Sequence, residues 1–311
     1  MSFSPIPIFT GCAAALITPF LPNGSIDQPA LMRLITMQLD AKADAIVLLG
    51  TTGEPSVLTM HERELVIQTA VNTIDKRIPV IIGTGSNDTR KAVEYAKQAQ
   101  ALGADAQLCV TPYYNKATQT GLISHFSAIM DSCDLPLIAY NVPGRTGLSL
   151  SGDTIEKLSV HPNLAGIKEA SGHTELTAEI IERTSGTLPV YSGCDELIVP
   201  LMSIGAAGAI SVCANVVPAQ TVTLVKACLD GDFKAARQMQ QQLMPLIRAL
   251  FAQVNPIPVK AALSMMGIIY DELRLPLTPL EEPYRTSLKI QLDNHNLLIQ
   301  RKASVIASEQ V

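Results

Sequence analysis

A repeat of short apolar runs, each followed by a segment with helical periodicity, restricts the fold of this sequence more than any other feature. The interval is about 25–30 residues, which is typical of alternating strands and helices in a parallel sheet. The predicted strands are Cys12–Ile17, Ala45–Leu49, Val80–Gly83, Ala106–Val110, Leu137–Asn141, Leu164–Lys168, Val190–Ser192 and Ala209–Val212. The clearest helices between them are Pro29–Leu39, Thr59–Ile74, Asp88–Leu102 and Val217–Leu229.

Eight such units predict an α/β chain whose sheet closes into a (β/α)8 TIM barrel. The alternative is an open, doubly wound sheet. Against it, Gly83 and Gly85 are not followed by the third glycine of a dinucleotide-binding turn, and the chain has no Gly-Lys-Ser/Thr phosphate loop. The barrel is therefore the favoured fold.

The pattern changes after Gly231, where strand-like runs stop. Helices are predicted over Phe233–Val254, Val259–Ile269 and Pro283–Ile306. We therefore expect a catalytic barrel over residues 1–231 and a C-terminal helical appendage over residues 232–311, with Ala303–Val311 fraying at the end.

Charge and composition limit the possible partners of this 311-residue chain. The net charge of -5 and the lack of basic clusters argue against nucleic acid and an anionic membrane surface. The N-terminus does not resemble a signal peptide, and no apolar run is long enough to cross a bilayer. Six cysteines without Cys-x-x-Cys spacing make zinc improbable and suggest core thiols in a reducing cytoplasm. The five histidines are expected at the surface or at helix ends.

A lysine follows a strand whose other residues are apolar, in the stretch Gly166–Ser171. Burying an ammonium is costly, so Lys168 would be either paired with a carboxylate or uncharged. An uncharged amine is a nucleophile that can form a Schiff base with a carbonyl compound. The alternatives are that Lys168 pairs with Glu169 or points into solvent.

Polar residues follow several of the other predicted strands, at the end of a barrel where active sites lie. They comprise threonines, tyrosines and an arginine: Thr18, Thr51, Thr52, Thr111, Tyr113, Tyr114, Tyr140, Arg145 and, after strand seven, Gly193-Cys194-Asp195. Tyrosines near a Schiff-base lysine can move protons, and an arginine can clamp a carboxylate. Each of these residues taken singly could equally be a packing or surface residue. Together they favour Schiff-base chemistry without a metal or nucleotide.

The sequence resembles the dihydrodipicolinate synthase family, within the pyruvate-dependent class I aldolases that include N-acetylneuraminate lyase. The matching stretches follow the family's order: Ala15–Pro19, Gly50–Glu54, Gly83–Asn87, Thr111–Asn115, Tyr140–Gly147, Gly166–Ser171, Ser192–Asp195 and Asn255–Lys260. Tyr140–Gly147 and Gly166–Ser171 are the most specific of them, and Arg145 separates the chain from the sialic-acid lyase pattern.

The resemblance implies a lyase that condenses pyruvate with L-aspartate 4-semialdehyde in lysine biosynthesis, without a cofactor. The resemblance implies that Lys168 forms the Schiff base and that Thr51 and Thr52 hold the pyruvate carboxylate. It implies that Tyr140, Thr52 and Tyr114 relay protons, with Tyr114 reaching into a neighbouring subunit. It also implies that Arg145 binds the semialdehyde carboxylate, and that Gly193 and Ile210 line the pyruvate pocket through their backbone carbonyls. It also implies a homotetramer built as a dimer of dimers.

The sequence departs from lysine-regulated members of the family at their regulatory pocket. Lys91 stands where those members have a glutamate, and Met60 and Arg63 stand at the two histidine positions. Tyr113, Asn87 and Ser56 still match the pocket. Because Lys91 would repel an incoming ammonium group, we expect weak or absent inhibition by lysine.

Two other functions remain open on the sequence, and a third is disfavoured. One is a pyruvate aldolase acting on a sugar acid or a hydroxyproline-derived keto acid. Another is a catalytically silent relative that binds keto acids. A phosphate-binding barrel isomerase is disfavoured because glycine-rich loops do not follow strands seven and eight.

Overall fold

The computed structural model describes residues 7–298, and its centre is a closed barrel of eight parallel strands in sequence order. The strands are β1 (Gly11–Ala15), β2 (Ala45–Leu48), β3 (Val80–Gly83), β4 (Ala106–Val110), β5 (Leu137–Asn141), β6 (Leu164–Glu169), β7 (Val190–Ser192) and β8 (Gly208–Ser211). Pairing of β8 with β1 closes the barrel. The prediction of a (β/α)8 TIM barrel is therefore confirmed.

Helices surround the barrel and extend beyond it. They are α1 (Gln28–Asp40), α2 (Met60–Ile74), α3 (Thr89–Ala101), α4 (Gln119–Met130), α5 (Pro143–Thr146), α6 (Gly152–Ser159), α7 (Thr174–Arg183), α8 (Ile198–Ser203), α9 (Pro218–Leu229), α10 (Phe233–Leu250), α11 (Ile257–Met265) and α12 (Tyr284–Asn294). Short 3-10 turns occupy Thr51–Gly53, Pro55–Val57, Asp195–Leu197 and Cys213–Asn215. A capping box begins α2, since Thr59 and Glu62 exchange both hydrogen bonds.

Small residues allow the first and last strands to approach each other. Gly11 is paired with Gly208, and a methyl group on Gly208 would lie 1.9 Å from the carbonyl oxygen of Gly11. The strands are buried along their length, with Val110 the one residue partly accessible. This burial explains why the strands read as continuous apolar runs rather than as alternating patterns.

The predicted strand bounds differ from the observed ones by at most two residues. Strand β1 ends at Ala15 rather than Ile17, because the N–H of Ile17 turns to the side chain of Asn215, at 3.1 Å. Strand β8 begins and ends one residue earlier than predicted.

The C-terminal helices are shorter than predicted. Helix α10 ends at Leu250 rather than Val254, and α11 covers Ile257–Met265, ahead of a turn at Gly267. Helix α12 ends at Asn294, and the rest of the predicted Pro283–Ile306 helix lies partly outside the described residues, as does Ala303–Val311. Helix α10 packs against both α8 and α9, so the helices after residue 231 are in direct contact with the barrel helices. The division of the chain at residue 231 stays a prediction.

Two expectations about individual side chains have different outcomes. The six cysteines are unpaired, and burial raises the pKa of Cys109 to about 12. The expectation that every histidine lies at the surface or a helix end is wrong for His125, which is buried within α4. Its Nδ1 lies 2.9 Å from the hydroxyl of Thr89, and burial lowers the pKa of His125 to about 4. Along residues 7–298, the helices are too short or too polar to span a membrane.

Candidate active site

Strand β6 places Lys168 inside the barrel, beside Tyr140 of β5. The side chain is 5% exposed, and its Nζ lies 4.4 Å from the centre of the Tyr140 ring. Among residues 7–298, no carboxylate lies within 4.0 Å of this nitrogen. The structure therefore contains a buried amine without a directly paired acid.

The neighbouring Glu169 has other partners, which excludes the alternative that it pairs with Lys168. Its carboxylate accepts hydrogen bonds from the side-chain amide of Asn141, at 2.8 Å, and from the backbone N–H of Ser171, at 2.5 Å. Burial raises the pKa of Glu169 despite these bonds. Since successive residues of a strand point to opposite faces, Glu169 supports the outside of the strand end rather than the amine.

Gly193, which follows β7, leaves room for the lysine side chain. A methyl group at this position would lie 3.0 Å from Cε of Lys168 and 2.7 Å from Cβ of Ala170. Any larger residue would have to displace one of them. The predicted pocket residue Gly193 therefore has a steric reason to be glycine.

Asp195 holds the ends of β7 and β8 together. One oxygen of its buried carboxylate accepts hydrogen bonds from the N–H groups of Val212, at 3.0 Å, and Cys213, at 2.8 Å. Burial raises the pKa of Asp195, while these bonds act in the opposite direction. Asp195 thus ties together the loops that follow the last two strands.

Thr51 and Thr52 lie in the 3-10 turn after β2, and a hydrogen bond from the residue Thr18 after β1 holds this turn in place. The hydroxyl of Thr18 donates to the carbonyl of Gly53, at 2.8 Å. Thr52 is buried, whereas Thr51 is partly exposed. The turn ends at Glu54, whose backbone is left-handed with φ of 53°.

Asn255 joins two predicted site residues that are distant in sequence. Its side-chain amide donates to Oγ1 of Thr52, at 2.9 Å, and its backbone carbonyl accepts a hydrogen bond from Nη2 of Arg145, also at 2.9 Å. The sequence placed Asn255 in a matching stretch but predicted no role for it. The sequence signal that could have pointed to a role for Asn255 is the Asn-Pro-Ile-Pro-Val-Lys motif that begins with it.

A second pair links the C-terminal helices to the threonine turn. Lys260 of α11 and Glu54 are both buried, with Nζ 2.5 Å from Oε1. The amine also lies 4.0 Å from the centre of the Phe20 ring. The appendage therefore contacts the site through Asn255 and Lys260.

Tyr114 is the predicted site residue that the isolated chain does not bring into the barrel. Its side chain is 91% exposed, and its backbone is left-handed with φ of 72°. Among the described residues no hydrogen bond joins it to Thr52 or Tyr140. A left-handed conformation is uncommon for a bulky residue.

A cavity of about 240 Å³ opens at this end of the barrel. Its wall includes the predicted site residues Thr51, Tyr140 and Arg145. Lys168, Thr52, Gly193 and Ile210 are not in the cavity wall; Ile210 is buried within β8. In the described part of the chain, no cluster of His, Cys, Asp or Glu could hold a metal ion.

The closed barrel, with hydroxyl groups, an arginine and a buried amine at the carboxyl ends of its strands, defines the chain as a barrel enzyme. The model of the dihydrodipicolinate synthetase family matches residues 8–295. The chain belongs to this family.

Relatives with assigned names agree with this membership over nearly the whole chain. The 4-hydroxy-tetrahydrodipicolinate synthase of Caldicellulosiruptor saccharolyticus is 47% identical over 95% of this chain and 100% of its own. The structure of the chloride-inhibited dihydrodipicolinate synthase of Acinetobacter baumannii in complex with pyruvate has a TM-score of 0.91 and 44% identity, covering 93% of this chain and 99% of that one. The Aquifex aeolicus dihydrodipicolinate synthase has a TM-score of 0.92 and 43% identity, covering 94% and 100%.

Proposed function

We propose that Lys168 forms a Schiff base with pyruvate, and that the resulting enamine condenses with L-aspartate 4-semialdehyde to give 4-hydroxy-tetrahydrodipicolinate. The reaction follows from family membership, and its product enters diaminopimelate and lysine biosynthesis. The single observation that supports the role of Lys168 is its burial beside Tyr140 without a carboxylate partner.

The nitrogen of Lys168 adds to the keto carbon of pyruvate, and the keto oxygen takes up a proton to give a carbinolamine. Loss of that oxygen as water leaves an iminium ion. The iminium withdraws electrons from the methyl group, which loses a proton to give an enamine. The iminium group formed with Lys168 is thus the electron sink for carbon–carbon bond formation.

Thr51 and Thr52 are proposed to hold the pyruvate carboxylate through hydroxyl and backbone N–H donors. The 3-10 turn fixes the two residues, and Asn255 anchors Thr52. A fixed carboxylate sets the distance between the keto carbon and the lysine nitrogen, which is how orientation lowers a barrier. Backbone carbonyls of Gly193 and Ile210 are proposed to complete the pocket.

Tyr140, Thr52 and Tyr114 are proposed to relay the protons of these steps. Asn255 donates to Oγ1 of Thr52, so the hydroxyl proton of Thr52 is free to point towards another acceptor. This arrangement gives the relay a direction.

Arg145 is proposed to bind the carboxylate of the semialdehyde at the cavity. The enamine carbon attacks the aldehyde carbon, and the amino group of the bound product then displaces Lys168 by transimination. This last step closes the ring and restores the free amine.

We further propose a homotetramer, built as a dimer of dimers and working in the cytoplasm. The exposure and left-handed backbone of Tyr114 support a role at a subunit interface, because residues 7–298 leave this large aromatic side chain almost uncovered. Analytical ultracentrifugation of wild type and Tyr114→Trp tests this. A monomer with full activity would contradict both the assembly and the shared relay.

Lysine is proposed to inhibit weakly or not at all. Lys91 is exposed, and Arg63 lies in the cavity wall. Nζ of Lys91 and Cζ of Arg63 lie 5.5 Å and 3.8 Å from the centre of the Tyr95 ring, so both side chains bring positive charge to this part of the cavity. Half-maximal inhibition by sub-millimolar lysine would refute this proposal.

Substrate competition tests the function against its rivals. Condensation with aspartate semialdehyde is followed in a coupled assay, beside cleavage of a sugar acid and of a hydroxyproline-derived keto acid. We expect turnover only with the semialdehyde. Greater kcat/KM for either other substrate would identify a different pyruvate aldolase, and no turnover with any would identify a silent relative.

A further inference from the structure

The pairing of β5 with β6 contains a register shift ahead of Lys168. Leu137 pairs with Leu164, whereas the next residue of β5, Ile138, pairs with Gly166. One residue of β6 therefore has no partner on β5 at this point. An extra residue of this kind moves every later residue of its strand by one place relative to the partner strand.

The register shift decides which residue of β6 lies opposite Tyr140. Tyr140 pairs with Lys168, and the residues that follow them, Asn141 and Glu169, pair with each other. Continuous pairing from the start of β5 would instead set Tyr140 opposite Ile167. The proposed Schiff-base amine would then lose its place beside the tyrosine ring, so the site depends on the shifted register.

A buried hydrogen bond joins the side chains of Asn141 and Glu169 in this register. The two residues are 0% and 1% exposed, and Nδ2 of Asn141 donates to Oε2 of Glu169, at 2.8 Å. The N–H of Leu150 donates to Oδ1 of Asn141, at 3.0 Å, which fixes the orientation of the amide. The other oxygen of Glu169 accepts from the N–H of Ser171. Asn141 must therefore be the donor of the pair and Glu169 the acceptor.

We propose that Asn141 and Glu169 are positioning residues, which hold β5 and β6 in the register that sets Lys168 beside the tyrosine. The inference rests on the proposed Schiff-base function. Successive residues of a strand point to opposite faces, so both side chains point away from the amine and act through strand pairing. Their hydrogen bond needs the two residues to lie opposite each other, so it stabilises the shifted register over the continuous one.

Exchanging the donor and the acceptor of this pair gives a sharp test. Asn141→Asp sets two carboxylates against each other. Glu169→Gln turns an amide towards a second donor, either the amide of Asn141 or the N–H of Ser171. With both changes present, the donor and the acceptor change places, and all the hydrogen bonds of the pair can form again.

The measurement is the rate at which pyruvate forms an imine on Lys168. Full-length protein is mixed with pyruvate, borohydride added at timed intervals reduces the imine present, and peptide mass spectrometry quantifies the adduct. Each variant is studied at a temperature where circular dichroism shows it folded. We expect each single variant to form the imine at least about tenfold more slowly than wild type, and the double variant to recover to within about threefold.

A control variant separates positioning from a general loss of stability. Gln107 of β4 is buried like the proposed pair, and its Oε1 accepts from the hydroxyl of Thr84, at 2.8 Å. Gln107→Met removes that bond from a neighbouring strand pair, so we expect a lower melting temperature with imine formation at the wild-type rate. A purely structural role for Asn141 and Glu169 would give their single variants the same result.

The outcomes distinguish the inference from the function on which it rests. Single variants that form the imine as fast as wild type, or a folded double variant no faster than they are, would overturn the positioning role. If neither single variant folds, a folded double variant that is at least about tenfold slower than wild type has the same meaning. Wild type without an adduct on Lys168 would refute the proposed function, and this inference with it.

Discussion

Breaking the buried ion pair between Lys260 and Glu54 is expected to weaken the whole fold. The two side chains are 0% and 1% exposed, and the second oxygen of Glu54 accepts the backbone N–H of Arg274, at 3.2 Å. Burial lowers the pKa of Lys260 in spite of the nearby carboxylate, so the cost of removing the amine from water is large. A buried charge that loses its partner costs about 3–5 kcal/mol. We therefore expect Lys260→Met to lower the free energy of unfolding by about this amount.

Urea unfolding followed by circular dichroism, at one fixed protein concentration, measures the loss. The double variant Glu54→Gln/Lys260→Met removes both charges and is expected to lose less stability than either single variant. The matched control is the exposed pair of Lys157 and Asp153, 2.8 Å apart, where Lys157→Met should cost far less stability than Lys260→Met because solvent screens the pair. Additive losses in the double variant, or equal losses at the two lysines, would refute the reasoning.

Three further predictions concern the site and its support. Gly193→Ala places a methyl carbon 3.0 Å from Cε of Lys168, the proposed Schiff-base lysine, and 2.7 Å from Cβ of Ala170, so we expect kcat to fall at least about tenfold and the melting temperature to fall as well; an unchanged kcat would show that the site has more room. Asn255→Ala removes the donor to Thr52 but keeps the backbone carbonyl, so we expect a lower kcat and a shifted pH–rate profile, with Asn255→Asp failing to restore them. Hydrogen bonds from Arg274 lower the pKa of Glu62 to about 2, below its ordinary 4.5, so the carboxylate stabilises the fold above pH 4.5 and loses that contribution as the pH falls towards 2. Arg274→Gln should move the acid-unfolding midpoint to higher pH, and an unmoved midpoint would contradict the assignment.

The barrel was predictable because its strands are buried on both faces and therefore read as apolar runs. The same runs predicted where a site would lie, since residues that follow parallel strands meet at one end of the barrel. Lys168, Thr51, Tyr140 and Arg145 became candidate site residues in this way. The cap of α2 was predictable because a capping box is local.

Contacts between distant parts of the chain were not predictable from pattern alone. Asn255 and Thr52 are 203 residues apart, and the Glu54–Lys260 pair spans 206. Only the packing of the C-terminal helices over the barrel brings these residues together. His125 was missed because one polar residue on an amphipathic helix can face either side.

Reduction of the pyruvate complex with borohydride, followed by peptide mass spectrometry, tests the central claim most directly. Because Lys168 is the buried amine beside Tyr140, we predict irreversible loss of activity with one reduced pyruvate adduct on the peptide that contains it. Lys168→Ala should fold normally and remain unlabelled. An adduct at another lysine, or inactivation without any adduct, would contradict the account.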